Sequence, residues 1–225
     1  MKQVLVTEEG DLLEKNEERS PVLHALATIL SYIFHPLFVI AWVVLYLLYR
    51  NSMVFIGVAT EEKLIVFLRV FSTSIFLPLV TVLLLKGLGF IQSIQLRTQK
   101  DRIIPYVACI TFFFWTYYVS KTLGDPVELR AFLLCAFIAA SASLIINNYM
   151  KVSMHAMSAA GMLTFFTLLL FANKLDDVVS LLLAILITGV ICTSRFIASD
   201  HKPVEIYTGF VVGVLIQLIS WMIVH

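Results

Sequence analysis

A series of apolar runs with the length of membrane-spanning helices limits what this chain can fold into. The hydrocarbon core of a bilayer is about 30 Å thick, and about 20 apolar residues in an α-helix cross it. Backbone groups in lipid must find their hydrogen bonds within the protein, so such runs favour helices. We predict an all-α integral membrane protein, a bundle of six to seven transmembrane helices, from the runs at residues 33–49, 63–85, 103–120, 128–149, 156–172, 178–193 and 206–224.

The composition supports this class. Of the 225 residues, 60% are hydrophobic and 14% are charged, whereas soluble domains average about 25% charged residues. The formal net charge of +1 gives no general attraction to nucleic acid. We therefore expect the bilayer as a partner and no nucleic acid.

The chain divides into a tail and one membrane domain. Residues 1–20 are polar and acidic and lack the basic start of a cleaved signal peptide, so we expect the first apolar helix to stay as an anchor. Residues 21–225 read as a single transmembrane helical domain without linkers or repeats. Within it we expect a helix break at His35-Pro36, a kink at Pro78, and an Arg69 side chain that reaches toward the interface.

Cysteine usage gives no sign of redox or metal chemistry. Cys109, Cys135 and Cys192 lie inside apolar runs and form no CxxC motif. Such cysteines act as small, reduced packing residues. We expect no metal ion and no cofactor.

The stretch 194–205 lies between the last two apolar runs and concentrates polar chemistry. Arg195, His201 and Glu205 fall in what we expect to be one short loop at the membrane–water boundary. Ionisable groups at this level are costly, so a cluster of them is a functional-site hypothesis by default. We therefore expect an interfacial active site here.

Counting membrane crossings relates this stretch to two other polar segments. Two runs separate the basic segment 86–102 from the polar junction 151–155, and two more separate that junction from 194–205. Each pair of crossings returns the chain to the same side, so the three segments should meet at one end of the bundle, and the other end offers only ordinary turns. The residues concerned are Arg97, Lys100 and Arg102; Lys151, Ser153 and His155; Arg195, His201 and Glu205.

These residue types suit a phosphate group. Arginine presents forked donors that match phosphate oxygens, and the start of a helix favours an anion. Glu205 lies four residues after His201, so both share a helix face if that helix begins near Asp200, and the carboxylate can then orient the imidazole for attack. His155 can protonate a leaving alkoxide, and Ser153 can hold phosphoryl oxygens.

The spacing in the last of these segments resembles a known signature. Ser194-Arg195, five residues, His201, three residues, Glu205 is similar to Ser-Arg-x5-His-x3-Asp, the third signature of the type 2 phosphatidic acid phosphatase superfamily. That superfamily includes lipid phosphate phosphatases, undecaprenyl-diphosphate phosphatases and soluble vanadium haloperoxidases. The resemblance implies that His201 is a nucleophile, Glu205 its acid partner and Arg195 a phosphate ligand.

The resemblance covers roughly the second half of the chain. Ser153-Met154-His155 is similar to the second signature, Pro-Ser-Gly-His, which implies a phosphate ligand at Ser153 and a leaving-group acid at His155. Val152 and Met154 stand where the family has proline and glycine, and Glu205 stands where it has aspartate.

The first signature, Lys-x6-Arg-Pro, is not present as written. Residues 100–105 contain a lysine, an arginine and a proline at a different spacing. Arg102 is the best match to the arginine, and Lys100 or Arg97 supplies the charge of the lysine. We therefore expect Arg102 and Lys100 to bind phosphate, and we identify the chain as a divergent member of the superfamily.

The resemblance and the clusters together predict a function. We expect a metal-independent phosphatase that acts on a lipid phosphate or diphosphate, of the phosphatidic acid, phosphatidylglycerophosphate or isoprenyl diphosphate type, through a phosphohistidine. Two alternatives use the same fold: a phospholipid-binding or transport protein without hydrolysis, and a lipid phosphotransferase. The expected partner is a phosphorylated lipid, and the sequence does not give the oligomeric state.

We expect the chain in a bacterial inner (plasma) membrane, and its orientation stays open. The predicted site end carries ten of the 16 lysines and arginines, which favours a cytoplasmic site. Six of those ten belong to or adjoin the site, and without them the count is four against six. His24 and His35 have no partner in the sequence pattern, so we interpret both as structural.

Overall fold

The structure is a computed structural model that describes residues 3–6, 12–15, 20–51, 53–91, 93, 98–198 and 201–225. Helices make up most of the described chain, and the N-terminal tail forms a two-stranded antiparallel sheet, β1 (Gln3–Val6) and β2 (Leu12–Lys15). The helices are α1 (Pro21–Ile33), α2 (Pro36–Leu45), α3 (Thr60–Phe71), α4 (Leu77–Gly87), α5 (Gln99–Thr122), α6 (Val127–Ile146), α7 (Met154–Phe171), α8 (Val178–Ala198) and α9 (Pro203–Val224).

Six of the described helical segments are long and apolar enough to cross a membrane, which fits an integral membrane protein. The bent pair α1–α2 brings the number to seven if it counts as one span. The six segments are Thr60–Gly87, Gln99–Thr122, Val127–Ile146, Met154–Phe171, Val178–Ala198 and Pro203–Val224. The predicted helical class and the range of six to seven spans are therefore confirmed by length and composition.

The break predicted at His35-Pro36 is present. Helix α1 ends at Ile33, and α2 begins at Pro36 after a bend of 58°. Proline suits a first helical position because its missing N–H would have no partner there. His35 becomes the N-cap of α2, and its Nδ1 accepts a hydrogen bond from the backbone N–H of Leu37 at 3.4 Å.

The disturbance predicted at Pro78 takes a different form from a kink. A π-helical turn, Ser72–Phe76, joins α3 to α4, and Pro78 lies in the first turn of α4. Proline cannot donate to the carbonyl one turn earlier, and a wider turn accommodates that loss.

Helix α7 forms the centre of the bundle and packs closely against α8 and α9. Its first turns carry the buried small residues Ala156, Ala159, Ala160 and Gly161, and small residues let helices approach closely. Helix α9 places glycines against these turns. A Cβ on Gly213 would overlap the carbonyl oxygen of Met157, so the two backbones approach more closely than any larger residue permits.

The end of the bundle away from the predicted site is held by ion pairs, so it is more than a set of ordinary turns. Arg50 pairs with Asp177 at 2.7 Å, and Lys174 lies 3.9 Å from Glu128. Arg69 pairs with the buried carboxylate of Asp125, in the turn between α5 and α6. A buried carboxylate needs such a partner, because an unpaired charge is costly in a low-dielectric environment.

The α7–α9 contact predicts a position-specific cost. Replacing Gly213 with alanine should lower the free energy of unfolding by about 1–3 kcal/mol, because the added methyl group overpacks the helix contact. Gly189→Ala is the matched control, since a Cβ there meets no atom within 4 Å. Denaturant unfolding of both variants in detergent measures the difference, and equal stabilities would contradict the packing described.

Candidate functional site

The fold brings the segments that precede α5, α7 and α9 to the same end of the bundle. Asn147, at the end of α6, exchanges two side-chain hydrogen bonds with Gln99, at 2.7 and 2.9 Å. Arg102 donates from Nη1 to the carbonyl of Val152 at 3.4 Å. The N–H of Ser153 donates to the carbonyl of Glu205 at 3.1 Å. These contacts join all three predicted polar segments directly.

His201 and Glu205 form a close pair at the start of α9. The Nδ1 atom of His201 lies 2.7 Å from a carboxylate oxygen of Glu205, and both side chains are largely buried. The same oxygen accepts the backbone N–H of Lys202 at 3.2 Å. The described helix begins at Pro203, so His201 precedes it and the two residues do not share a helix face as expected. The pair forms because Glu205 is the third residue of the helix and reaches back over its N-terminus.

Arg195 belongs to a helix and not to a loop. Helix α8 continues to Ala198, so the expected loop from residue 194 is wrong over its first part, and Ser199 and Asp200 lie outside the described residues. The Oγ of Ser194 donates to the carbonyl of Val190 at 2.8 Å, which occupies the hydroxyl within the helix. Arg195 donates from Nη1 to the Oγ of Ser31 at 3.1 Å.

His155 lies in the first turn of α7 and faces the end of α1. Its Nε2–H donates to the carbonyl of Ser31 at 3.0 Å, which assigns the ring proton to that nitrogen. Its ring meets that of His35 edge to face, with 5.4 Å between centroids. His201 and Arg195 both act electrostatically on His155. The α1–α2 break is therefore part of the same cluster.

The basic residues before and within α5 contribute unequally. Arg102 contacts the phenol of Tyr106 as well as Val152, and its charge acts on His201. Lys100 is exposed on the first turn of α5, and no hydrogen bond or ion pair within the described residues joins it to His155, Arg195 or His201. Arg97 lies outside the described residues.

Ser153 is fully buried and works as a helix cap. Its Oγ accepts the backbone N–H of Ala156 at 3.4 Å, and its backbone lies against Gly209 of α9. A capping hydroxyl in this position satisfies an N–H that the helix leaves without a partner. Its phosphate-binding role stays a prediction, and the geometry favours the capping role.

The surroundings of His201 keep its imidazole neutral. Burial lowers the pKa of His201 from its ordinary 6.5, and the charges of Arg102 and Arg195 lower it further. The hydrogen bond that His201 donates to Glu205, and the negative charge of that carboxylate, act in the opposite direction without reversing the lowered pKa. A neutral imidazole can attack an electrophile, and an imidazolium cannot.

The cluster combines the parts that phosphoryl chemistry needs. Two guanidinium groups, Arg102 and Arg195, act electrostatically on a neutral histidine that a carboxylate orients, and the N-terminus of α9 adds a partial positive charge. A second histidine, His155, lies within electrostatic reach. The arrangement can bind a dianion and present a ring nitrogen to it.

No family model, curated protein or solved structure matches this chain. The resemblance to the type 2 phosphatidic acid phosphatase superfamily therefore stays a prediction.

The sequence did not place Ser31 or His35 beside the site, although the interpretation of His35 as structural agrees with its N-cap role. Ser31 contacts both Arg195 and His155, and His35 packs against His155. The helix break at His35-Pro36 could have predicted their position, because it ends one helix at the end of the bundle where the other polar segments meet. A count of membrane crossings should therefore include the residues at such a break.

The electrostatics of His201 predict a directional pKa change. Replacing Arg195 with glutamine should raise the pKa of His201, because a positive charge that opposes the imidazolium is removed. NMR titration of labelled histidine in detergent measures the shift. Arg50→Gln, at the opposite end of the bundle, is the control and should leave that pKa unchanged.

The lowered pKa of His201 in the folded protein also affects how stability depends on pH. The folded state binds fewer protons at His201 than the unfolded state does. The contribution of His201 to stability is therefore present above pH 6.5 and is lost as the pH falls through the folded-state pKa.

In the titration of Arg195→Gln, a fall or no change in the pKa of His201 would contradict the described cluster.

Proposed function

We propose that the protein is a membrane-embedded, metal-independent phosphatase of a lipid phosphate or diphosphate. The observation that carries the proposal is the His201–Glu205 pair at 2.7 Å, set among the charges of Arg102 and Arg195. A histidine with a fixed tautomer beside two cations suits attack on a phosphoryl group. The apolar spans that surround this site favour a substrate that resides in the bilayer.

The first chemical step forms a phosphohistidine. The phosphate dianion binds between Arg102 and Arg195, and Nε2 of His201 attacks phosphorus while the phosphorus–oxygen bond to the lipid breaks. Glu205 accepts the Nδ1–H and stabilises the positive charge that develops on the ring. The leaving oxygen takes a proton, and the lipid product departs as an alcohol, or as a monophosphate when the substrate is a diphosphate.

The second step hydrolyses the phosphohistidine. Water attacks phosphorus, the phosphorus–nitrogen bond breaks, and inorganic phosphate leaves with the electron pair returned to His201. We assign to His155, which enters the first step as an imidazolium favoured by the bound dianion, the proton delivered to the leaving oxygen, and this leaves its ring neutral. In the second step the neutral ring removes a proton from water, which restores the imidazolium. For this role His155 must exchange its hydrogen bond to the Ser31 carbonyl for one to the reacting oxygen.

The proposal includes insertion in a bacterial inner membrane. The six long apolar helices and the polar residues gathered at one end support it. Ten of the 16 lysines and arginines lie at that end, but six of them belong to or adjoin the site, so the count gives only weak support for a site that faces the cytoplasm.

A second candidate is a protein that binds a phosphorylated lipid without hydrolysing it. The burial and capping role of Ser153 favour it, because that hydroxyl is engaged within the protein. Met154 also stands where the superfamily has a glycine that lets the backbone approach phosphate. Transfer of the phosphoryl group to a lipid acceptor would use the same covalent intermediate as hydrolysis.

Phosphate release from lipid phosphates tests the proposal. Purified wild-type protein should release phosphate from at least one member of a panel of phosphatidic acid, phosphatidylglycerophosphate and isoprenyl diphosphate. His201→Ala should reduce release to background, and His155→Ala should reduce it by about 10²–10⁴-fold, the usual contribution of a general acid–base group.

The control for both variants is His225→Ala, because His225 ends α9 away from the site and stacks on Trp221. It should retain wild-type activity. Equal release from wild type and His201→Ala would eliminate the proposed mechanism. Tight binding of a lipid phosphate with no release by wild type would favour the second candidate.

A further inference from the structure

An open apolar groove of about 560 Å³ lies between α1 and α8. Leu26 and Leu30 line it from α1, and Ile185 and Gly189 line it from α8. On α8 its lining extends from Ile185 to Ile197, which lie twelve positions apart and therefore about 18 Å apart at 1.5 Å per residue. Its walls offer almost only apolar side chains, so it suits an apolar occupant.

The groove is continuous with the candidate site. Ser194 lines it and immediately precedes Arg195 on α8. On the other wall, Ser31 follows the groove-lining Ala27 by one helical turn and contacts both Arg195 and His155. The two helices that form the groove therefore also form one wall of the cationic cluster.

We propose that this groove binds a hydrocarbon chain of the lipid whose phosphate group binds at Arg102 and Arg195. The inference rests on the proposed function for the position of the phosphate group. It adds the place where the lipid chain binds: the phosphate group lies at the cationic cluster, and a long hydrocarbon chain lies in the groove beside it. A water-soluble phosphate ester would occupy only the cationic end.

Gly189 lines the groove and, having no side chain, leaves part of its volume empty. A Cβ at this position would meet no atom within 4 Å, so no packing contact explains the absence of a side chain. By contrast, Gly209 and Gly213 of α9 lie directly against the backbone of α7. A large side chain at position 189 should fill the groove without displacing a helix.

Photolabelling tests the groove without relying on turnover. Wild-type protein in phosphatidylcholine vesicles receives phosphatidic acid with a diazirine on one acyl chain or, in a parallel sample, phosphatidylcholine with the same chain. After irradiation, mass spectrometry maps the labelled peptides. We expect phosphatidic acid to label the peptides that contain residues 23–30 and 185–197 by roughly tenfold over phosphatidylcholine, a factor equivalent to about 1.4 kcal/mol.

Two variants of α8 sharpen the result. Gly189→Trp should abolish that excess because the indole occupies the groove. Leu182→Trp is the matched control, since Leu182 is 58% exposed on the same helix and does not line the groove. It should label as wild type does. Equal labelling by the two lipids, or an excess that survives Gly189→Trp, would overturn the inference.

Phosphate release measured on the same samples separates this inference from the proposed function. Specific labelling without phosphate release from any lipid of the panel would leave the groove established and the phosphatase rejected. Phosphate release without specific labelling would support the phosphatase and reject the groove as the binding place of the chain. If both hold, Gly189→Trp should lower kcat/KM for long-chain phosphatidic acid by about tenfold and leave that for dihexanoyl phosphatidic acid unchanged.

Discussion

The close contact between α7 and α9 is the constraint on which the candidate site depends. Gly209 lies against the backbone of Ser153, and Gly213 lies against that of Met157. At the site end of this contact, the N–H of Ser153 donates to the carbonyl of Glu205. Because His155 begins α7 and the side chain of Glu205 orients His201, the glycine contact sets the position of one histidine relative to the other.

The two ends of the bundle use charge differently. At the end away from the site, arginine and lysine pair with carboxylates across the turns, as in Arg50–Asp177 and Arg69–Asp125. At the site end, two guanidinium groups act on an imidazole whose burial already disfavours its charged form. The first arrangement holds helices together, and the second concentrates positive charge where we propose that an anion binds.

Much of the fold follows from the sequence because lipid permits few alternatives. Apolar length predicts the spans, proline predicts the break before α2, and the count of crossings predicts which polar segments meet. The π-helical turn at Ser72–Phe76 and the extension of α8 to Ala198 were not predicted, because both depend on local hydrogen bonding that hydropathy does not report.

The site was predicted less completely than the fold. Arg102, His155, Arg195, His201 and Glu205 were named from residue type and spacing, and contacts or electrostatic coupling link them in the structure. Ser31 and His35 were missed because their roles arise from the packing of α1 on α8 and from the position of the helix break. A serine inside an apolar helix carries no distinguishing sequence signal.

Trapping the covalent intermediate tests the central claim most directly. Wild-type protein is mixed with a lipid phosphate labelled with radioactive phosphorus, quenched in alkali within milliseconds to seconds, and digested for peptide mapping. The account predicts an acid-labile, alkali-stable phosphoryl group on His201. Steady release of inorganic phosphate with the label on another residue, or with no labelled peptide at any time, would contradict it.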